Sequence, residues 1–254
     1  MDSVLSIDIG NTRTHMAAVD TGELSCVDRI DFENADFDGR FVSAAEKIAS
    51  AHPQIRKANI TSCVKDIALR AKELCAGIGE VNIVAVHEGL PISVRYEDPR
   101  KLGTDRLCNA LACAALFEGR SCVIIGSGTA VTVDFLRDGK VFEGGAILPG
   151  CAMQAAALHR RTDALPLVGL RGYGGDAVKI PATSTEGCIS AGILFGTAGA
   201  VERCAVEYLR VSGGDTAVVA TGGGWEIIRP LIAIDHHRIH TIRDLTLIGA
   251  AVYG

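Results

Sequence analysis

The chain opens with an apolar run from Val4 to Val19, broken once, at Gly10-Asn11-Thr12. That pattern predicts two strands, Val4–Ile9 and Thr14–Asp20, joined as a hairpin, because Gly and Asn at the break tolerate the positive φ of a tight turn. Apolar positions next recur at helical spacing over Phe41–Ala51 and Lys65–Cys75. Ala58–Ser62 between them reads as a short strand, and Val81–Val86 as another. A loop over Tyr96–Leu102 carries Pro99, and Asp105–Phe117 reads as an alanine-rich helix before a candidate hinge at Gly119-Arg120.

The pattern then restarts. Ser121–Ile125 and Ala130–Leu136 read as a second hairpin, Asp138-Gly139 as its next turn and Lys140–Ala146 as a third strand. Helices are expected over Cys151–His159, Glu186–Leu209 and Trp225–Leu231. Val218–Ala220 reads as a short buried strand that runs into Thr221-Gly222-Gly223-Gly224. Strands alternating with helices give an α/β class. The repeated hairpin and the late glycine turn suggest two duplicated ribonuclease H-like lobes, 1–118 and 119–254, with a nucleotide cleft between them. That is the architecture of the actin-like ATPase superfamily, which includes acetate and sugar kinases.

Composition narrows the readings. The chain has 254 residues and is 48% hydrophobic but only 5% aromatic, so Ala, Val, Ile and Leu must fill the interior. The formal net charge of −5 argues against a nucleic-acid partner, which needs a basic face. A small anion held by backbone amides remains compatible with it. Nine cysteines form no C-x-x-C pair and several lie in apolar runs, which suits reduced structural thiols in a cytoplasmic protein. No signal peptide is recognisable at the N-terminus, and no apolar run is expected to reach the 18 or so residues of a membrane span.

The candidate chemistry sits at the two hairpin turns. In the first, Asp8 ends a buried strand beside Gly10-Asn11-Thr12; such a carboxylate can hold Mg²⁺ while turn amides face phosphate oxygens. An Asp that only closes a turn is the bland alternative, and the second copy of the hairpin weighs against it. The second turn, Ser127-Gly128-Thr129-Ala130, offers amides and two hydroxyls, but aligning Gly10 with Gly128 puts Gly126 opposite Asp8. Gly103-Thr104-Asp105-Arg106 opens the alanine-rich helix, where Thr104 can cap and Asp105 suits the positive end of the dipole. The same dipole favours ionised Asp105, which weakens it as a base and leaves a role in orienting a substrate hydroxyl. Arg106 can neutralise a carboxylate or phosphate. Gly144 to Gly150 and Thr221 to Gly224 each follow a strand and open a helix, a geometry suited to anions. Asp235-His236-His237-Arg238-Ile239-His240 looks metal-like but lacks an established ligand spacing, and reads as a solvated segment. Asp134 reads as a strand-end residue facing solvent.

Taken together and in this order, the motifs resemble those of type III pantothenate kinases over nearly the whole chain. Asp8-Ile9-Gly10-Asn11-Thr12 is similar to the family's first phosphate motif. Tyr96, Pro99 and Gly103-Thr104-Asp105-Arg106 resemble its pantothenate segment, whose Asp is assigned as catalytic base. Gly128-Thr129-Ala130 with Thr132 and Asp134 resembles the second phosphate motif, and Gly222-Gly223 the nucleotide-side glycines. Leu165-Pro166, Thr185-Glu186, Gly192 and Gly196 follow in order, and Thr185 matches a threonine that reaches pantothenate from the partner subunit.

The resemblance implies transfer of the ATP γ-phosphate to the primary hydroxyl of pantothenate, the first step of coenzyme A synthesis. It implies a homodimer that uses Mg²⁺ and a monovalent cation, K⁺ or NH₄⁺. On this reading Asp8 and Asp105 are catalytic and Asp8 holds the metal. Gly10, Asn11, Thr12, Gly128, Thr129, Gly222 and Gly223 bind nucleotide, while Tyr96, Gly103, Thr104, Asp105, Arg106 and Thr185 hold pantothenate. The chain departs from the pattern in two places: Gly126 stands where the second phosphate motif begins with Asp, and Ala182-Thr183 where a Gly-Lys pair precedes the threonine. The first departure motivates a rival reading, a pseudokinase that binds pantothenate or nucleotide and acts through a partner. A second rival keeps the kinase and changes the acceptor to another small hydroxy acid or sugar. Turnover separates the first rival, and a substrate panel the second.

Overall fold

The computed structural model describes residues 3–170, 178–212, 214–234 and 238–254. Its contacts divide into two compact units: Met1–Gly119 with Asp138–Glu143 and Asp244–Gly254, and Arg120–Arg137 with Gly144–Arg243. The last eleven residues, which the lobe assignment by sequence puts in the second half, therefore belong to the first unit.

The first unit starts with β1 (Ser3–Ile9), β2 (Arg13–Asp20) and β3 (Ser25–Glu33), followed by α1 (Phe37–Ala51), β4 (Lys57–Ser62), α2 (Lys65–Leu74) and β5 (Glu80–Ile83). Its sheet has the order β3-β2-β1-β4-β5. The strands of β1–β2 and β2–β3 run antiparallel, those of β1–β4 and β4–β5 parallel. A two-residue strand, β6 (Ser93–Val94), a 3₁₀ turn over Pro99–Lys101 and α3 (Thr104–Leu116) complete the chain up to Gly119.

The second unit repeats this plan with β7 (Ser121–Ser127), β8 (Ala130–Arg137), β9 (Val141–Pro149), α4 (Cys151–Arg161), α5 (Thr185–Ser212), β10 (Thr216–Thr221), α6 (Trp225–Ile228) and β11 (Ile239–Thr241). The strand order β9-β8-β7-β10-β11 reproduces β3-β2-β1-β4-β5 position for position. The directions agree as well: β7–β8 is antiparallel, while β7–β10 and β10–β11 are parallel. The duplication expected from the two hairpins is thus a duplication of whole sheets. The start of β9 belongs to the first unit and pairs there in parallel with β6.

Side-chain alternation assigns the faces of the first sheet. Leu5, Ile7, Ile9, Met16 and Ile60 pack with Phe41, Ala44, Ala45 and Ile48 of α1. Those α1 positions fall at i, i+3, i+4 and i+7, one helical stripe. The opposite face carries Ser6, Asp8, Ala17, Asn59 and Thr61, paired as Ser6↔Ala17, Ser6↔Asn59 and Asp8↔Thr61. The C-terminal helix α7 (Leu245–Ala251) packs on β1, β2 and β4, and α3 packs on β4 and α7. Asn59, fully buried, donates to the carbonyls of Ala250 at 2.7 Å and Tyr253 at 2.9 Å, so β4 holds the end of α7. Gly249 touches the Cys108 backbone so closely that any Cβ would clash, which sets the α3–α7 approach.

In the second unit Val123, Ile125, Val131, Val133, Val218 and Trp225 form the core with Leu194, Ala198 and Val201 of α5. The helix α5 contains an 18-residue window apolar enough to cross a bilayer, a stretch not recognised from the sequence. Half of that window is buried within the protein, and α5 packs on β7 and β8 as a core helix.

Several local expectations change. β3, β6, β11 and α7 lie where no element is expected, and α1 begins at Phe37 rather than Phe41. The strand expected to reach Val86 ends at Ile83, and the helix expected over Trp225–Leu231 is one α-turn followed by a 3₁₀ turn over Arg229–Leu231, where Pro230 removes a donor. Asp134 lies inside β8, paired with Ile124, and is 1% exposed rather than facing solvent. Asp235, His236 and His237 lie outside the described residues.

Candidate active site

Asp8 occupies the penultimate position of β1, opposite His15 of β2 and beside Thr61 of β4. It therefore points to the face that α3 and α7 cover. The following loop closes through Gly10 N–H donating to Arg13 O at 2.9 Å. Asn34 braces it from behind: its side-chain amide donates to Gly10 O at 2.8 Å, and its backbone N–H to Thr12 O at 2.9 Å. Asn11 and Thr12 are exposed at the loop tip.

Asp105 arrives beside Asp8 from the first turn of α3. Thr104 does not cap this helix; Gly103 is the N-cap residue and the Thr104 hydroxyl is spent on β4. It accepts from Thr61 Oγ1 at 2.8 Å and Ser62 N–H at 3.1 Å and donates to Ser62 O at 3.1 Å. These bonds fix the start of α3 to the end of β4, which places Asp105. A Cβ at position 103 would lie 2.7 Å from Asp105 Oδ1, so a larger residue there would shift that carboxylate.

The two carboxylates make an electrostatically costly pair. Burial, then the nearby Asp105, push the Asp8 carboxyl up to about 7, against the opposing pull of Arg29. Arg29 is itself held by Asp31 at 2.7 Å and by Asp244, the residue preceding α7. Cys63 follows β4 and donates its thiol to Asp105; burial and both carboxylates push that thiol up to about 12. Cys108, on α3, is held well above the ordinary thiol range by burial.

Arg106, one residue beyond Asp105, points elsewhere in the first unit. It is 4% exposed, its Nη1 donates to Tyr96 Oη at 3.4 Å, and its guanidinium carbon lies 5.8 Å from the Tyr96 ring centre and 5.5 Å from that of Phe142. An open depression of about 600 Å³ is lined by Tyr96, Glu97, Asp98, Pro99, Arg100 and Lys101. It follows the loop that carries Tyr96 and does not include the Asp8–Asp105 pair.

In the second unit Gly128 N–H donates to Ala130 O at 2.9 Å, the counterpart of the Gly10 bond. Gly126 pairs with Thr132 and Thr221, the ladder place that Asp8 holds between His15 and Thr61. The alignment of Asp8 with Gly126 is therefore structural as well as sequential. Two glycine segments close around this turn. Gly150 donates to Thr129 O at 3.0 Å, and a Cβ there would meet Gly128 O at 2.4 Å. Gly222, at φ +93°, would set a Cβ 2.3 Å from Ser127 O, and Gly224 N–H donates to that oxygen at 2.9 Å. Gly128, Thr129, Gly222 and Gly223 are all exposed. Thr185 is the exposed first residue of α5.

The structure thus joins Asp8 with Asp105, Tyr96 with Arg106, and the Gly128 turn with Gly222. It also brings in Arg29, Asn34, Cys63 and Phe142, which sequence reasoning passes over. Asn34 shows why: the Gly10 carbonyl that it braces lies 24 residues away in sequence.

A family model described as type III pantothenate kinase matches residues 4–207. The chain belongs to the type III pantothenate kinase family. Among curated relatives, a type III pantothenate kinase of Rubrobacter xylanophilus is 34% identical over 98% of this chain and 96% of its own length. One from Dehalococcoides mccartyi is 29% identical over 99% and 96%. Solved structures confirm the actin-like ATPase fold. Component A of the (R)-2-hydroxyglutaryl-CoA dehydratase of Acidaminococcus fermentans aligns at a TM-score of 0.57 and 17% identity, covering 99% of this chain and 96% of that one. The activator of the 2-hydroxyisocaproyl-CoA dehydratase of Clostridium difficile, solved with bound ADPNP, aligns at 0.54 and 15% identity, covering 98% and 92%.

Proposed function

We propose that this protein transfers the γ-phosphoryl group of ATP to the primary hydroxyl of pantothenate, the first step of coenzyme A synthesis. The observation that carries the reading is the Asp8–Asp105 pair beside a glycine turn, in a chain of this family. Phosphoryl transfer asks a protein for positioning and charge neutralisation rather than covalent work. Two carboxylates at one strand end, held against their repulsion by the α3–β4 hydrogen bonds, suit that demand.

Asp8 would hold Mg²⁺. The residues fit, because this ion takes one or two carboxylates and completes its shell with phosphate oxygens and water. When bound, Mg²⁺ neutralises charge on the transferring phosphate. Gly10, Asn11, Thr12, Gly128, Thr129, Gly222 and Gly223 would line the phosphates with backbone amides. Asp105 would orient the acceptor hydroxyl, and Gly103 and Thr104 would hold Asp105 in place. Tyr96 and Arg106 would bind the acceptor as a carboxylate, with Thr185 supplied by a partner subunit. A homodimer in the cytoplasm is part of this reading; Ile147, Met153 and Ile180, all exposed and apolar, and the exposed small residues Gly192, Gly196 and Gly199 of α5 are surfaces that a second copy would cover. The monovalent cation fits less well. With Gly126 where the first turn has Asp8, the second turn offers K⁺ or NH₄⁺ only neutral oxygens.

Asp105→Asn tests the assignment. The amide keeps size and shape but loses the charge that orients the hydroxyl, so kcat should fall by about 10²- to 10⁴-fold while KM for ATP stays within about twofold of the parent. Unchanged kcat would remove Asp105 from the mechanism.

A further inference from the structure

The duplicated sheets place one residue in each unit directly after the third strand: Asn34 after β3 and Gly150 after β9. Each donates its backbone N–H to the hairpin turn of its own unit, Asn34 to Thr12 O at 2.9 Å and Gly150 to Thr129 O at 3.0 Å. The side chains then make the two turns unequal. A Cβ at Gly150 would meet Gly128 O at 2.4 Å, so that place admits no side chain. Asn34 has one, and its amide donates to Gly10 O, the counterpart of Gly128 O, at 2.8 Å. Thr14 Oγ1, on a fully buried residue, donates to Asn34 Oδ1 at 2.8 Å, which decides the end of the carboxamide that faces Gly10.

The Gly10–Asn11 peptide that this contact grips is trans. A trans peptide is planar, with its N–H directed opposite to its C=O. Drawing Gly10 O to Asn34 therefore turns the Asn11 N–H away from Asn34, at a loop tip where Asn11 and Thr12 are exposed. Amides so presented by a turn can cradle an anion. Glycine at position 10 would by itself let the following peptide turn over. Turned over, it would set a carbonyl oxygen against phosphate oxygens, an encounter of like partial charges. The Asn34 amide holds the orientation that donates.

We propose, on the basis of the nucleotide reading above, that Asn34 is a positioning residue: its carboxamide fixes the Asn11 N–H toward the nucleotide phosphates and so strengthens phosphate binding at the turn beside Asp8. The effect falls on the nucleotide, because Tyr96 and Arg106, assigned to the acceptor, lie on other elements of the unit. Ordinary stabilisation of the fold by Asn34 would instead leave the two ligands affected alike.

The test is calorimetric binding of the non-hydrolysable ATP analogue ADPNP with Mg²⁺, and separately of pantothenate, to the full-length protein. Asn34→Ala should weaken ADPNP about tenfold, the factor that one amide–phosphate hydrogen bond represents, and leave pantothenate within about twofold. Thr14→Val keeps the shape of a buried side chain but frees the Asn34 carboxamide to rotate. It should weaken ADPNP about threefold, again sparing pantothenate, and it carries the test if Asn34→Ala does not fold. Unchanged ADPNP binding in the folded variant, equal weakening of both ligands, or a parent that binds no ADPNP overturns the proposal. The readout needs no turnover. A parent that binds ADPNP without phosphorylating pantothenate, and loses that binding in Asn34→Ala, would therefore sink the kinase reading and leave this one standing.

Discussion

Replacing Asp8 with Asn should stabilise the fold at neutral and alkaline pH while removing the cation ligand. In the folded protein the Asp8 carboxyl titrates near 7 instead of 3.8, through burial and the neighbouring Asp105. The sign follows from proton counting. Below about pH 3.8 folded and unfolded chains both carry the proton, and the parent carboxyl and the variant amide are both neutral. Between there and about 7 the unfolded chain has released a proton that the folded one keeps, so folding stability falls by about 1.4 kcal/mol for each pH unit. Above about 7 both states are ionised and the cost stays constant. The full interval from 3.8 to about 7 sets a ceiling near 4 kcal/mol; water reaching a half-buried carboxylate lowers the expectation to about 2 kcal/mol. For a chain of this size that is a rise of roughly 4–8 °C in Tm. Urea unfolding of the parent and Asp8→Asn in EDTA, from about pH 4 to about pH 8.5, reads the gap directly. It should be near zero at the acid end, widen through the interval and level off. A gap independent of pH, or a variant less stable at the alkaline end, refutes the account of Asp8 as a strained carboxylate.

Three other perturbations follow from close contacts. Gly103→Ala forces the Asp105 carboxylate away from a Cβ that would sit 2.7 Å from it, and should lower kcat about tenfold with little change in Tm, as steady-state rates and a melt would show. Asn59→Ala leaves two carbonyls at the end of α7 without their donor and opens a gap at a fully buried position; a loss of about 2–4 kcal/mol in urea unfolding is expected, and under 1 kcal/mol would contradict the clamp. Gly222→Ala combines a positive φ with a backbone clash at Ser127 O, and should weaken binding of a fluorescent ATP analogue at least tenfold even where the variant still folds.

Much of this is legible in the residues. The two hairpins at Gly10 and Gly128 stand out because an apolar run broken by glycine has few other solutions. The equivalence of Asp8 and Gly126 follows from that alignment, and the ladders bear it out. β3 is harder to read: Ser25–Glu33 is a half-exposed edge strand with charges on both faces, so neither alternation nor a buried run marks it. α7 is short, and its sequence LTLIGAA is apolar all round because sheet and α3 both cover it. Thr104 looks like a cap because it precedes Asp105 in a helix start, yet its hydroxyl meets β4, a partner 42 residues away in sequence. Phe142 and Arg29 reach their places through long-range pairing of strands and through Asp244, neither of which local pattern encodes.

The most direct test is the reaction itself: ATP-dependent phosphorylation of pantothenate by the purified protein with Mg²⁺, run with Na⁺, K⁺ or NH₄⁺ as the monovalent ion. The account predicts 4′-phosphopantothenate in stoichiometric step with ADP, and loss of that product in Asp105→Asn. A folded protein that binds ATP and pantothenate yet yields no phosphopantothenate with any of these ions would contradict it.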